Sequence, residues 1–357
     1  MTLQLLSVTA FIVATTLMQH PVAGAKPGAT KPTIVDLGTL GGGVSDGYGI
    51  NNDPDDIQVV GYSTRADEGP PHGFFWTEAT GMIDLGSFGR GSFARDINNQ
   101  GMIAGNSEGA VFENWPVVWT VSSGVWTIER LPTMTGTCRG NALGLNNGIN
   151  GDSSAVVVVG SVWSGASRAV MWRRELGEWL IVDLGTLPGD TDSYAWDVND
   201  TGTVVGWSIS STGINTAFRW HPNTGMVALP DLGGNTRAVA IANNGDIAGT
   251  SIDAAGNSHA VRWRAIDDAI EDLGTLGGCC SAGYDINTAG TVVGWSEVSR
   301  RVNQRVNQRA FLADPGAPMT EPGGSRGQSS AHALNDFGTI AGTIFSGQPH
   351  AVIWKLQ

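Results

Sequence analysis

The stretch Gly283-Tyr284-Asp285-Ile286-Asn287-Thr288-Ala289-Gly290-Thr291-Val292-Val293-Gly294-Trp295-Ser296 decides how this chain folds. Its first five residues follow the form small-x-small-aliphatic-Asn. Small side chains at alternate positions leave one strand face nearly flat, so a neighbouring sheet can approach closely. Asn-x-x-Gly comes next. Asn starts such a turn through its side chain, and Gly accepts the positive φ that closes it. Val-Val-Gly-Trp-Ser then returns as a second strand. The unit is a hairpin, and it recurs.

Copies of the first strand stand at 47–51 (GYGIN), 94–98 (ARDIN), 142–146 (ALGLN), 195–199 (AWDVN) and 331–335 (AHALN). A further copy, AVAIA at 238–242, has Ala242 in the Asn place. The second-strand glycine recurs as Gly61, Gly105, Gly160, Gly206, Gly249, Gly294 and Gly342, a mean period of about 47 residues. A four-stranded propeller blade takes ~40–50. A third strand ends in Trp76, Trp119, Trp172, Trp220, Trp263 and Trp354, with Ala313 in the sixth unit. A fourth reads MIDLG (82–86), LIVDLG (180–185) or IEDLG (270–274), with weaker versions near Leu131 and Leu229. Two units are lengthened, by Asp53–Asp56 and by Gly148–Ser154.

The ends of the repeat region settle how the units close. An orphan fourth strand, TIVDLG (33–38), precedes any first strand, and an orphan third strand, HAVIWKL (350–356), finishes the chain. A single unit cannot bury both faces, so units stack, and closure removes open sheet edges. The sequence predicts an all-β, seven-bladed β-propeller with four antiparallel strands per blade over residues 33–357. The N-terminal strand completes the last, C-terminal blade.

Composition agrees. Of 357 residues 51 are Gly and 13 are Trp, while only 15% are charged. That excludes a coiled coil, a Glu/Lys/Leu-rich helical bundle and a disordered acidic tail. The net charge of −13 repels a phosphate backbone, so nucleic acid is not an expected partner. Leu3 to Met18 is an apolar run shorter than the ~20 residues of a membrane-spanning helix. Ala23-Gly24-Ala25 after it matches the small-residue pattern of signal cleavage, although no Lys or Arg precedes the run. Residues 1–25 therefore read as a cleaved signal peptide and 26–32 as a short leader. A secreted monomer is expected, in the extracellular space, on the cell surface or in the periplasm, with no transmembrane segment.

The three cysteines are Cys138, Cys279 and Cys280. Cys138 and Cys279 belong to units three apart, too distant on a ring for a bridge. Cys279-Cys280 reads as free thiols, with a strained vicinal disulfide as the alternative. No second Cys or His stands at ligand spacing, so neither a metal nor a cofactor is expected. The acidic insertion Asn51–Asp56 lacks the regular spacing of a calcium loop and reads as an exposed insertion.

The DLGTLGG words at Asp36–Gly42 and Asp272–Gly278, the Ile-Asn turns, the VVG-x-S strands and the His-Ala-Val-x-Trp words together resemble the HAF family of probable extracellular repeats. The resemblance covers residues 33–357. It implies a secreted bacterial repeat protein and carries no catalytic residues to transfer.

Candidate site residues come from positions that do not repeat. The first strand runs nearest the axis, so its x position lines the channel mouth: Tyr48, Arg95, Leu143, Trp196, Val239, Tyr284 and His332. Two residues earlier stand Asp46, Phe93, Asn141, Tyr194, Arg237, Ala282 and Ser330. From these sets Asp46, Tyr48, Phe93, Arg95, Asn141, Tyr194, Trp196, Arg237, Tyr284 and His332 are the ligand-binding candidates. Aromatic rings mixed with Arg, Asn, Asp and His suit a sugar or another small polar ligand. Packing between blades is the alternative use of each.

The repeated Trp set reads as core, and His72, His259 and His350 at one register read as structural. The Asp of DLG is expected to accept N–H groups of the following turn. H-E-x-x-H and P-loop patterns are absent, and no catalytic residue is assigned. Asp46, Asp190 and Asp192 are the only nominees for a carboxylate pair. Arg300–Arg309, a tandem of Arg-Val-Asn-Gln, reads as a duplicated loop or as a dock for an anionic partner. These residues favour a non-enzymatic scaffold that binds a carbohydrate-like ligand or a protein through its variable-loop face. A propeller hydrolase or lyase acting on polysaccharide, and a purely structural cell-surface module, are the alternatives.

Overall fold

Hairpins with one flat face and Gly-closed turns have one good way to bury themselves, which is against copies of themselves. A computed structural model of the chain describes residues 32–110, 113–134, 139–298, 307–323 and 327–356. The expected signal peptide at 1–25, all but the last residue of the leader 26–32, Cys138 and residues 299–306 of the basic tandem's loop lie outside these. Among the described residues, regular structure is entirely β, in seven antiparallel sheets, six of consecutive strands and one that joins the first strand to the last three. No helix among them is long and apolar enough to cross a membrane.

Blade one is typical, with strands Gly41–Ile50, Gln58–Arg65, His72–Thr77 and Gly81–Asp84. The ring closes as the sequence predicts. Thr33–Asp36 pairs with Pro349–Lys355 in the register Ile34↔Trp354, so the N-terminal strand forms the outer edge of blade seven. Blade six departs from the template, because its sheet has three strands and only an isolated bridge, Leu312↔Thr320, in the fourth place. Pro315, Pro318 and Pro322 lie in that segment, and proline has no N–H to give to a ladder.

The repeated residues are scaffold. Trp119, Trp172, Trp263 and Trp354 are fully buried, and Trp76 nearly so, whereas Trp220 is half-buried. Their hydrophobic clusters span neighbouring blades; one joins Ala104 and Val118 of blade two to Ala142, Val158 and Trp172 of blade three. The indole N–H of Trp119 donates to Leu85 O at 3.0 Å, that of Trp172 to Pro132 O at 2.7 Å and that of Trp263 to Pro230 O at 2.8 Å. A buried indole with a satisfied N–H is a stable core element. Removing such a side chain costs about 3–5 kcal/mol.

The turn Asn has two functions. Asn199 Oδ1 accepts from Thr201 N at 3.2 Å and Thr203 N at 3.0 Å, closing its own turn. Its Nδ2 donates to the carbonyl of Ala242 in the next blade at 3.2 Å. The same relay runs from Asn98 to Asn146, Asn146 to Asn199, Asn287 to Asn335 and Asn335 to Asn51. Ala242 receives this bond but has no side chain to pass it on.

The opposite face is fixed by repeated His–Asp contacts. His72 pairs with Asp84 at 2.7 Å, His259 with Asp272 at 2.8 Å and His350 with Asp36 at 2.9 Å. Each of these carboxylates also accepts the N–H of its following glycine, Gly86, Gly274 and Gly38. The expected structural roles of the repeated His and Asp are therefore met. Asp53 accepts from Asp55 N and Asp56 N, so the acidic insertion organises its own turn. Arg309, the last residue of the basic tandem, donates to Gly327 O at 2.7 Å and belongs to the scaffold.

Candidate functional site

All seven first strands break their ladder at one shared place. The pairing skips between Gly47 and Gly49, Ala94 and Asp96, Ala142 and Gly144, Ala195 and Asp197, Ala238 and Ala240, Gly283 and Asp285, and Ala331 and Ala333. The residue left over is Tyr48, Arg95, Leu143, Trp196, Val239, Tyr284 or His332. A β-bulge leaves its extra residue unpaired and re-aims the side chain. All seven side chains line one axial cavity. The bulge also explains the repeat glycine. At Gly206 a Cβ would collide with the carbonyl oxygen of Tyr194, and at Gly294 with that of Ala282. Glycine and bulge are two halves of one device.

The mouth of the channel is a cavity of about 400 Å³ lined by Asp46, Tyr48, Arg95, Leu143, Trp196, Tyr284 and His332. On its blade seven–one side His332 Nδ1 lies 2.9 Å from Gly47 O and 3.1 Å from Asp46 Oδ1. Thr343 Oγ1 donates to the same Asp46 oxygen. The Arg95 guanidinium lies 4.9 Å from the Tyr48 ring centre, within the range of a cation–π contact. Burial, and then the Asp46 charge, hold the Tyr48 phenol above its ordinary range; burial does the same for Tyr62 and Tyr284. All three phenols stay neutral near pH 7 and keep a proton to donate.

Below the mouth the channel narrows to about 110 Å³, and Asp96, Asp197 and Asp285 join its wall. They occupy blades two, four and six, while Gly49, Gly144, Ala240 and Ala333 hold the same place in the other four. Each carboxylate joins two blades. Asp96 accepts from Ile97 N at 2.8 Å and from Leu145 N of blade three at 3.0 Å. Asp197 accepts from Val198 N at 2.7 Å and from Ile241 N of blade five at 2.8 Å. Asp285 accepts from Ile286 N at 2.7 Å and from Leu334 N of blade seven at 2.6 Å. Burial raises Asp96 to about 7, helped by the Asp197 charge, and raises Asp197 to about 6. It also raises Asp285 well above the usual range.

A second cavity of about 430 Å³ opens beside the mouth over blades four to six. Trp196, Trp207, Trp295 and Tyr284 form its walls, with Arg237, Asn215, Asn235 and Ser258 among the polar groups. Trp196 and Tyr284 also line the mouth, so the two spaces share a wall. Trp207 stacks on Tyr194 at 5.4 Å and meets Trp196 at 5.1 Å. The Arg237 guanidinium lies 5.1 Å from the Trp207 ring centre. Trp295 Nε1 donates to the Tyr284 hydroxyl at 3.0 Å. The rings are braced by one another, while Trp196 and Tyr284 stay exposed to the cavity.

The x-position candidates thus fall where the sequence places them, and the set two residues earlier divides. Asp46 lines the mouth, and Arg237 and Ala282 line the groove. Phe93 packs on Tyr62 at 5.3 Å, Asn141 accepts from Asn114 Nδ2 at 2.9 Å, and the Tyr194 hydroxyl donates to Ser167 Oγ at 2.8 Å. Ser330 is buried. Phe93, Asn141 and Tyr194 thus spend their side chains on neighbouring strands, whereas Asp46 and Arg237 at the same position reach the open spaces. Trp207, Trp295, Asn215 and Asn235 were not singled out from the sequence. The signal for the two tryptophans is the residue after the repeat glycine, which pairs with the position two before the bulge, as in Tyr194↔Trp207 and Ala282↔Trp295.

No family model and no curated protein matches the chain. Among solved structures, the β-propeller domain of the Trilobed protease from Pyrococcus furiosus is similar at TM-score 0.50 and 12% identity, over 77% of this chain and 80% of that one. A putative TolB from Agrobacterium tumefaciens is similar at TM-score 0.44 and 17% identity, over 71% of this chain and 86% of that one. The gluconolactonase XC5397 from Xanthomonas campestris follows at TM-score 0.44 and 10% identity, over 92% and 95%. At these identities the likeness concerns the propeller fold alone.

Proposed function

We propose that the chain is a secreted, non-enzymatic HAF-type propeller that binds a carbohydrate on its variable-loop face. The observation that carries this reading is the groove over blades four to six. It combines three tryptophans and a tyrosine with Arg237, Asn215 and Asn235 in a space of about 430 Å³. Flat apolar rings beside a few convergent polar groups match a pyranose, which offers C–H faces and a rim of hydroxyls. Two of the three carboxylates nominated for a hydrolase are engaged in the scaffold: Asp46 with His332 and Thr343, and Asp192 with Ser167 N at 2.8 Å.

A glycan array probed with the labelled chain tests this reading. It predicts a defined set of bound glycans, with affinity falling about tenfold in Trp295→Ala and in Arg237→Ala, or about 1.4 kcal/mol each. Folded protein that binds no glycan, or variants that bind as the parent does, would refute it. Capture of a protein partner through the same groove, without glycan binding, would support the protein-binding alternative.

A further inference from the structure

The DLGTLGG words of blades one and six align without a gap from Asp36 to Asn51 and from Asp272 to Asn287. Their first hairpins share one register: Gly41↔Arg65 and Ser45↔Ser63 match Gly277↔Val298 and Ser281↔Ser296. Against this template, blade six differs at three places that touch in space. Cys279 replaces Gly43, Cys280 replaces Val44, and Glu297, on the facing strand, replaces Thr64. In blade one Thr64 serves the backbone, its Oγ1 accepting from Val44 N at 2.9 Å and donating to Val44 O at 3.1 Å. In blade six the same place brings together two thiols and a carboxylate.

Adjacent residues of a regular strand point to opposite faces, so neighbouring cysteines would not normally share a ligand. Here the ladder is irregular between Gly277 and Ser281, leaving three residues opposite Glu297 alone, and both thiols reach one side. The sulfurs lie 2.7 Å apart, and Cys279 Sγ lies 3.1 Å from Glu297 Oε2. All three ligand atoms fall within 4.8 Å of one another. Glu297 is only 7% exposed, so an acidic group is buried beside two thiols, and Cys279 is open to solvent.

We propose that Cys279, Cys280 and Glu297 form a binding site for one thiophilic divalent cation of the zinc class, with a fourth position open on the solvent side. Thiolate sulfur and carboxylate oxygen both ligate zinc, and a catalytic-type site has three protein ligands with the fourth position open, with metal–sulfur bonds of about 2.3 Å. A tetrahedral angle between two such bonds puts the sulfurs about 3.8 Å apart. Taking the ion therefore asks exposed Cys279 to swing outward by about an ångström. Binding replaces two S–H bonds by two metal–sulfur bonds and releases two protons to solvent, so affinity rises with pH. Glu297 was invisible to ligand spacing because it comes from the facing strand.

Cadmium is the probe, because its thiolate complexes absorb in the ultraviolet. The full chain, reduced and then freed of reductant, is titrated with Cd²⁺. The site predicts a charge-transfer band that saturates at one ion per chain. Cys279→Ser and Cys280→Ser should each abolish it. Glu297→Gln should keep the band but weaken binding at least about tenfold, and Cys138→Ser should change nothing. The proposal fails if no band appears while both thiols react with a thiol reagent, or if the pair cannot be brought to that reactive state. It fails equally if the band survives in Cys279→Ser, or if folded Glu297→Gln binds as tightly as the parent.

Discussion

Replacing Asp197 by Asn tests the inter-blade ties through their proton. The carboxylate titrates near 6 in the folded ring against an ordinary 3.8, because burial disfavours its charge more than the N–H groups of Val198 and Ile241 favour it. A raised folded value means that the native state binds the proton more tightly than the unfolded chain does. The stability this group lends is therefore full below about 4 and is lost as pH rises through about 6. By linkage, Asp197 alone makes the native state about 2 kcal/mol less stable near pH 7.5 than near pH 4.5. Asparagine has no proton to lose, so that difference disappears. Asp96 should titrate lower as well, since the Asp197 charge is its second cause of shift after burial.

The amide nitrogen of the variant must also face one backbone N–H, which costs about 1–3 kcal/mol at every pH. Urea midpoints at two pH values, compared between parent and variant, separate these effects. The account predicts a lower midpoint for Asp197→Asn near pH 4.5 and a pH difference smaller than the parent's by at least the 2 kcal/mol share. An unchanged pH difference would refute the reasoning.

Three further changes probe the scaffold. Gly249→Ala should lower stability by about 3 kcal/mol, because its Cβ would meet the Arg237 carbonyl and the buried Trp263 ring; a melting temperature equal to the parent's would deny the glycine–bulge coupling. Ala242→Asn should raise stability by about 1 kcal/mol by letting the relay continue to Asn287, and a fall in melting temperature would count against it. Deleting Thr33–Asp36 leaves the Pro349–Lys355 strand as an open edge. Light scattering should then show concentration-dependent association, and a cooperative monomer of undiminished melting temperature would contradict the closure.

Blade number, strand order and ring closure were legible because a repeat tells the same fact several times and the orphan strands at 33–38 and 350–356 leave one way to close. The Trp core and the DLG aspartates were legible for the same reason. The channel residues were found by their position between two small residues, but the bulge that aims them depends on which residues pair across the hairpin. That pairing separates Tyr48 and Trp196 from Phe93 and Tyr194, although alternation along an isolated strand treats them alike. Asp96, Asp197 and Asp285 occupy a position where Gly or Ala stands in other blades, and their N–H partners come from the next blade. Trp207, Trp295 and Glu297 act through a neighbouring strand in the same way. What the sequence hides here is contact between strands.

The most direct test of the binding face is a titration of the tryptophan indole N–H signals by NMR, assigned through single Trp→Phe variants, with a glycan that the array selects. The account predicts that Trp196, Trp207 and Trp295 shift saturably with one dissociation constant, while buried Trp119, Trp172, Trp263 and Trp354 stay in place. Saturable binding that leaves the three groove indoles unmoved would contradict it.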